Sequence, residues 1–126
     1  MQNRSFKNSY SASKERCAAV HTRLEKFWTY PPPTVPSWAD PVWHLYVIRH
    51  PQREKFQRRL LDSGIETGIH YPIPPHLQKA YSDAGFTKGN FPLSEKLSEE
   101  IISLPMCPSQ SQEQTDYVLE KICALS

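Results

Sequence analysis

The chain has 126 residues, a length that suits one domain and leaves little room for two. Fifteen lysines and arginines and thirteen aspartates and glutamates give a net charge of +2 and are mixed along the chain, whereas nucleic-acid binders concentrate basic charge on one face. The polar N-terminus lacks the apolar core of a secretion signal, and no apolar run approaches the ~18 residues of a membrane span. These properties favour a soluble, cytoplasmic domain without nucleic-acid or membrane partners.

Three widely spaced cysteines give no metal-site pattern. Their odd number and the absence of a C-x-x-C pair or of Cys/His ligand spacing argue against zinc. Reduced thiols in a cytoplasmic protein are the simplest interpretation. The residues concerned are Cys17, Cys107 and Cys123.

The N-terminal third is predicted to contain a helix, an extended connector and a strand. Residues 1–12 are polar and are expected to be disordered, so that the domain covers residues 13–126. A helix from Ser13 has apolar residues at helical spacing, and the prolines of residues 30–36 must end it. Large or β-branched side chains on both sides of residues 43–49 predict a strand that is buried on both faces.

The middle of the chain is predicted to continue with a helix, a second strand and a sharp corner. The helix spans residues 52–63, with Phe56, Leu60 and Leu61 on one face, and Gly64 is placed for a left-handed cap. Residues 66–71 alternate as a strand. The prolines of residues 72–75 cannot extend that strand, and we call this segment the proline corner.

The C-terminal third is predicted to hold three helices and a strand. A short helix over residues 76–84 precedes a helix capped by Asn90, whose apolar stripe contains Leu93, Leu97 and Ile101. Residues 101–106 become extended because two prolines follow them closely. Ser111 and the glutamine three residues later fit a capping box that opens the last helix.

Three short strands need helices to cover them, which predicts an α+β (α/β) domain with a small three-stranded sheet. The helix between the first two strands would allow a parallel crossover, but the small number of strands favours a mixed or antiparallel sheet. Either pairing leaves the same fold class.

The residues most suited to ligand binding flank the proline corner. They are His70, Tyr71, His76 and Gln78. Histidine and tyrosine can donate or accept hydrogen bonds to sugar hydroxyls or phosphate oxygens, and a rigid corner loses little entropy when a ligand binds. The alternative is that the two histidines tie down a buried turn and that the tyrosine fills core.

Other candidate sites are weaker. The basic cluster in residues 49–59 fits a solvated helix face, or less readily a site for an anion such as phosphate. The acidic residues near the ends of the last two helices fit solvated faces; they are Glu99, Glu100, Glu113 and Asp116. No phosphate-loop or nucleophile-elbow motif occurs, so no catalytic residue is assigned.

Several motifs, in this order, resemble the DegT/DnrJ/EryC1/StrS family. They are V-W-H-L-Y-V-I-R at 42–49, G-I-E-T-G-I-H-Y-P at 64–72, H-L-Q at 76–78, F-P-L-S-E-K at 91–96 and I-S-L-P-M at 102–106. The resemblance covers about residues 14–125. It implies the small C-terminal domain of a fold-type I, pyridoxal-phosphate-dependent aminotransferase. Such enzymes aminate nucleotide-linked keto-sugars for polysaccharide, lipopolysaccharide or secondary-metabolite biosynthesis.

The resemblance also implies which part is missing. In the family a preceding large domain supplies the lysine that binds the cofactor, so this chain alone is expected to hold no cofactor and to be inactive. His70 and Tyr71 are expected to border the active-site cleft and help to hold the nucleotide-sugar, with His76 and Gln78 on the same rim. The implied partners are the large domain and a second subunit. A free-standing, non-catalytic binding module that reuses the fold is the alternative.

Overall fold

The computed structural model describes residues 18, 20–24, 34–39, 41, 43–107 and 109–125. The expected disordered segment 1–12, Cys17 and most of the first predicted helix lie outside these residues. The described part of that helix, residues 18 and 20–24, is helical, and Val20 and Leu24 are buried as the apolar spacing predicts.

Besides this N-terminal helical segment, the described residues form two strands and three α-helices, together with two short 3-10 helices at Pro75–Leu77 and Lys79–Ala84. The regular elements are β1 (Tyr46–Arg49), α1 (Arg53–Asp62), α2 (Pro92–Glu100), β2 (Ile101–Leu104) and α3 (Gln112–Leu125). The single helix predicted for residues 76–84 is therefore wrong. Gln78 is extended, with ψ of 144°, and interrupts it between the two 3-10 helices.

The sheet of the described residues has two antiparallel strands. Tyr46 lies opposite Leu104, and Arg49 lies opposite Ile101. The predicted third strand is wrong, because residues 66–71 contribute only an antiparallel bridge between Gly68 and Ser103. Glycine has no side chain to pack against a neighbouring strand, and the proline corner follows too soon for further pairing. The α+β class and the antiparallel alternative are confirmed.

The core lies where the helices cover one face of the sheet. It contains Val20, Leu24, Tyr46, Ile48, Phe56, Leu60, Ile65, Ile102, Leu104, Leu119 and Ile122. The prediction that β1 is buried on both faces is correct for one face only, because Val47 is half-buried. On the same face as Val47, β2 carries a buried polar residue, Ser103. This second face of the sheet supports the candidate site.

Local signals fixed most helix ends. Gly64 has φ of +76°, as the predicted left-handed cap requires. At α3 the Ser111 backbone N–H donates to Gln114 Oε1 (2.8 Å) and the Gln114 N–H donates to Ser111 Oγ (3.1 Å), which confirms the capping box. The cap predicted at Asn90 is wrong, because Phe91 occupies the N-cap position of α2 and Asn90 Oδ1 instead accepts from the Thr87 N–H (2.8 Å).

Candidate functional site

A cleft of about 620 Å³ opens between the proline corner and α2. One wall carries His70, Tyr71 and Ile73, and the opposite wall carries Phe91, Leu93 and Leu97. Ile101 closes its floor at the start of β2. The cleft is lined mainly by apolar and aromatic groups with a few polar ones, which is the usual composition of a small-molecule site.

Helix α2 presents its apolar side to this cleft and buries polar groups. Glu95, Ser98 and Glu100 are its buried residues, whereas Leu93 is 69% exposed and Leu97 is half-buried. The predicted apolar stripe therefore exists, but it faces the cleft and not the core. A leucine left in water forgoes roughly 1.5–3 kcal/mol of burial energy. This orientation is typical of a surface that another protein segment or a ligand covers.

The Glu95 carboxylate holds the cleft wall together. It accepts hydrogen bonds from the Gly89 N–H (2.8 and 3.0 Å to its two oxygens) and from the Phe91 N–H (3.4 Å). His76 Nε2 lies 3.0 Å from Glu95 Oε1. Desolvation opposes ionisation of this carboxyl, but the hydrogen bond to His76 and those from the two amides outweigh it and lower its pKa. One side chain thus links three segments.

His76 and Gln78 brace the proline corner from behind. The His76 side chain is only 8% exposed and is directed to Glu95. Gln78 donates its side-chain N–H to the Ile73 carbonyl oxygen (3.0 Å). Neither residue lines the cleft. The contact of His76 matches the alternative interpretation, in which the histidines tie down a buried turn, while the assignment of both residues to the substrate rim stays a prediction.

His70 and Tyr71 do lie at the cleft, next to each other at the end of the 64–71 segment. Tyr71 is 68% exposed, and its ring stands edge-on to the His70 ring with 5.8 Å between centroids. His70 Nδ1 lies 2.9 Å from the hydroxyl oxygen of Ser103 in β2. The structure therefore separates the four predicted residues into two at the cleft and two behind it.

Sequence reasoning missed the supporting polar residues. Glu100 was expected on a solvated face, but it is buried and accepts two hydrogen bonds from the Arg49 guanidinium, at 2.6 and 3.1 Å. That pairing also removes Arg49 from the predicted basic surface. Glu95 and Ser103 went unnoticed too. The sequence signal for these residues was a polar residue inside an apolar strand or beside an apolar stripe. The same pattern is expected for a polar residue that is exposed to solvent.

Three basic residues of that cluster, His50, Lys55 and Arg59, line a smaller depression of about 260 Å³ beside α1. Arg59 donates to the Leu125 carbonyl oxygen (3.2 Å), and the His50 ring stacks on Phe56 with 4.5 Å between centroids. Partial burial lowers the pKa of His50. The first contact joins the last turn of α1 to the end of α3, and the second joins the residues before α1 to its first half.

Among the described residues, the cleft has no lysine amine to which pyridoxal phosphate could be linked covalently. The cofactor needs a desolvated, positioned amine, yet no described lysine lines the cleft, and those at 55, 79, 88 and 96 are exposed. No described group of three or more His, Cys, Asp or Glu side chains could hold a metal ion. Among the helices described, none is long and apolar enough to cross a membrane.

Comparison with known proteins extends the family resemblance to almost the whole chain. The sequence profile of the DegT/DnrJ/EryC1/StrS aminotransferase family matches residues 4–123. The erythromycin biosynthesis sensory transduction protein EryC1 of Saccharopolyspora erythraea is 47% identical over 92 residues, which cover 73% of this chain. The dTDP-3-amino-3,6-dideoxy-alpha-D-galactopyranose transaminase of Aneurinibacillus thermoaerophilus is 47% identical over 90 residues, or 71% of this chain.

Solved structures show the same relationship. A DegT DnrJ EryC1 StrS aminotransferase from Brucella abortus superimposes on 91% of this chain with a TM-score of 0.81 and 29% identity. The chain matches 30% of that structure, and about a quarter of the length of each of the two curated relatives. The fold, the ordered motifs and the profile agree: the chain belongs to the DegT/DnrJ/EryC1/StrS aminotransferase family.

Proposed function

We propose that this chain is the C-terminal small domain of a pyridoxal-phosphate-dependent aminotransferase that aminates a nucleotide-linked keto-sugar. It acts in the cytoplasm, joined to or assembled with a large domain that holds the cofactor and the catalytic lysine. The observation that carries the proposal is the family match over residues 4–123, which covers only about a quarter of the matched relatives. On its own the chain forms no amino-sugar.

The open cleft supports the proposal that this chain assembles with a separate large domain. Its apolar residues on α2 and at the proline corner are exposed in the single chain: Leu93 is 69% exposed, Ile73 52% and Phe91 44%. Burying a few hundred Å² of such surface yields several kcal/mol at about 25 cal/mol per Å². In this proposal the large domain covers part of the cleft, and the nucleotide-sugar occupies the rest.

Within the assembled enzyme, His70 and Tyr71 contact the substrate. Both side chains line the cleft, and both can donate hydrogen bonds to sugar or phosphate oxygens. His76 and Gln78 keep this rim in shape through Glu95 and the Ile73 carbonyl group. The matched relatives include transaminases named for dTDP-linked and UDP-linked sugars. The product therefore serves polysaccharide, lipopolysaccharide or secondary-metabolite synthesis.

Reconstitution from two fragments tests the proposal. The large domain of the Aneurinibacillus relative, without the C-terminal segment that this chain matches, is co-expressed with the 126-residue chain. Transamination is followed in reverse, as glutamate formed from 2-oxoglutarate and dTDP-3-amino-3,6-dideoxygalactose in the presence of pyridoxal phosphate. The expected result is glutamate from the pair and none from either fragment alone.

Two outcomes would contradict the proposal. Glutamate formation by the 126-residue chain alone would show that the chain contains its own catalytic centre. Failure of the two fragments to associate or to react would favour the free-standing module. The large domain rejoined to its own C-terminal segment controls for the assay.

A further inference from the structure

Ser103 and Gly68 form a support for the His70 ring. The two residues form the isolated antiparallel bridge beside β2. The Gly68 N–H donates to the Ser103 carbonyl oxygen (3.0 Å), and the Ser103 N–H donates to the Gly68 carbonyl oxygen (2.8 Å). The Ser103 hydroxyl lies 2.9 Å from His70 Nδ1. The bridge therefore fixes the two residues, Gly68 and Ser103, that determine where the ring of His70 lies.

The hydroxyl also selects the ring's protonation pattern. Ser103 is only 4% exposed, and among the described residues His70 is its side-chain hydrogen-bond partner. If Nδ1 carried the proton and donated, the Ser103 O–H would be buried without an acceptor, at a cost of about 1–3 kcal/mol. The favoured arrangement has Ser103 O–H donating to Nδ1. The neutral ring then carries its proton on Nε2.

Gly68 provides the space that this arrangement needs. A Cβ atom at residue 68 would lie 2.7 Å from His70 Cε1 and 3.4 Å from Nδ1. The first distance is far inside van der Waals contact. Gly68 does not have a positive φ, and the three atoms nearest to this Cβ position all belong to the His70 ring, which is therefore the obstacle to an alanine. The glycine thus leaves room for the Cε1 edge of the imidazole beside the bridge, where Nδ1 reaches Ser103.

We propose that Ser103 and Gly68 are positioning residues that hold His70 as an Nε2–H hydrogen-bond donor at the cleft. The Nε2 atom has no partner among the described residues, and His70 lines the cleft. A ring held in this way matches an acceptor oxygen of a ligand, such as a sugar hydroxyl or phosphate oxygen. The role in substrate binding rests on the proposed function, whereas the ring geometry does not.

The tautomer can be measured in the 126-residue chain by long-range ¹H–¹⁵N NMR of the histidine rings at alkaline pH. We expect Nε2 of His70 to be protonated and Nδ1 to show the shift of a hydrogen-bond acceptor. In Ser103→Ala the Nδ1 shift should move to its unbonded value, and Ser103→Thr, which keeps a hydroxyl, should restore it. Ser98→Ala is the matched control, because Ser98 is also buried and lines the cleft, but its hydroxyl donates to the Glu95 carbonyl oxygen (2.7 Å).

Gly68→Ala provides the second test. It should displace the ring and change the Nδ1 shift as Ser103→Ala does, while the thermal unfolding midpoint changes little. A proton on Nδ1 in the wild-type chain, or a His70 spectrum that neither Ser103→Ala nor Gly68→Ala alters, would overturn the inference. Since no large domain is present, these outcomes are independent of the reconstitution test, and either hypothesis can fail while the other stands.

Discussion

Replacing Leu93 with serine should weaken assembly with the large domain without destabilising the small domain. Leu93 lies in the first turn of α2 and is 69% exposed at the cleft. Full burial of a leucine side chain is worth roughly 1.5–3 kcal/mol, so covering its exposed two-thirds is worth about 1–2 kcal/mol. At 1.4 kcal/mol per tenfold change, Leu93→Ser should raise the dissociation constant about 5- to 30-fold.

The assay is calorimetric titration of the large domain of the relative into the chain, with chemical unfolding of the chain alone measured in parallel. Leu61→Ser is the matched control: Leu61 is 56% exposed on α1 and does not line the cleft. Both substitutions should change the free energy of unfolding by no more than about 0.5 kcal/mol, and only Leu93→Ser should weaken binding. Equal affinities for the two variants would refute docking at the cleft. A loss of more than about 2 kcal/mol of stability in Leu93→Ser would refute the exposure of α2.

Four further outcomes are expected. Leu60→Ala, at a fully buried position, should destabilise the chain by about 3 kcal/mol and Leu61→Ala by less than about 1 kcal/mol; equal losses in urea unfolding would contradict the core assignment. Folding lowers the pKa of Glu95 from its ordinary value of 4.5. The contribution of Glu95 to stability is therefore complete above that pH and is lost as the pH falls through the pKa of the folded state. Glu95→Gln should flatten this acid dependence of stability, and an unchanged dependence would exclude the carboxylate as its source. Sedimentation should show concentration-dependent self-association that added large domain reverses, and a strict monomer throughout would speak against an exposed docking face. Alkylation under denaturing, non-reducing conditions should modify the three thiols of Cys17, Cys107 and Cys123. A mass that corresponds to a disulfide would contradict the prediction that the chain lies in a reducing compartment.

The elements that sequence predicted correctly are those with strong local signals. The boundaries of α1 agree within one residue at each end, and α3 begins at its capping box. Such signals depend on residues within one helical turn of each other. The third strand failed for the opposite reason. Pairing depends on a distant partner, and Ser103 offers residues 66–71 only one bridge.

The candidate site was predictable in its location but not in its internal roles. Two histidines and a glutamine around the proline corner look alike in sequence, yet only His70 lines the cleft. His76 and Gln78 are committed to Glu95 and to the Ile73 carbonyl group. The difference arises from contacts over five to nineteen residues of sequence. No local pattern encodes such contacts.

Helix α2 shows why a periodic apolar stripe does not by itself identify the core. Spacing alone makes residues 93, 97 and 101 one face, and that face is real. Spacing cannot say whether the face meets this chain's own core or another protein. Here the buried side carries Glu95, whose hydrogen bonds compensate its loss of water, and Ser98, whose hydroxyl is bonded to a backbone carbonyl. Because the polar groups on the buried side are satisfied and the leucine outside is not covered, the arrangement is stable in the single chain, and covering Leu93 remains a source of binding energy for assembly.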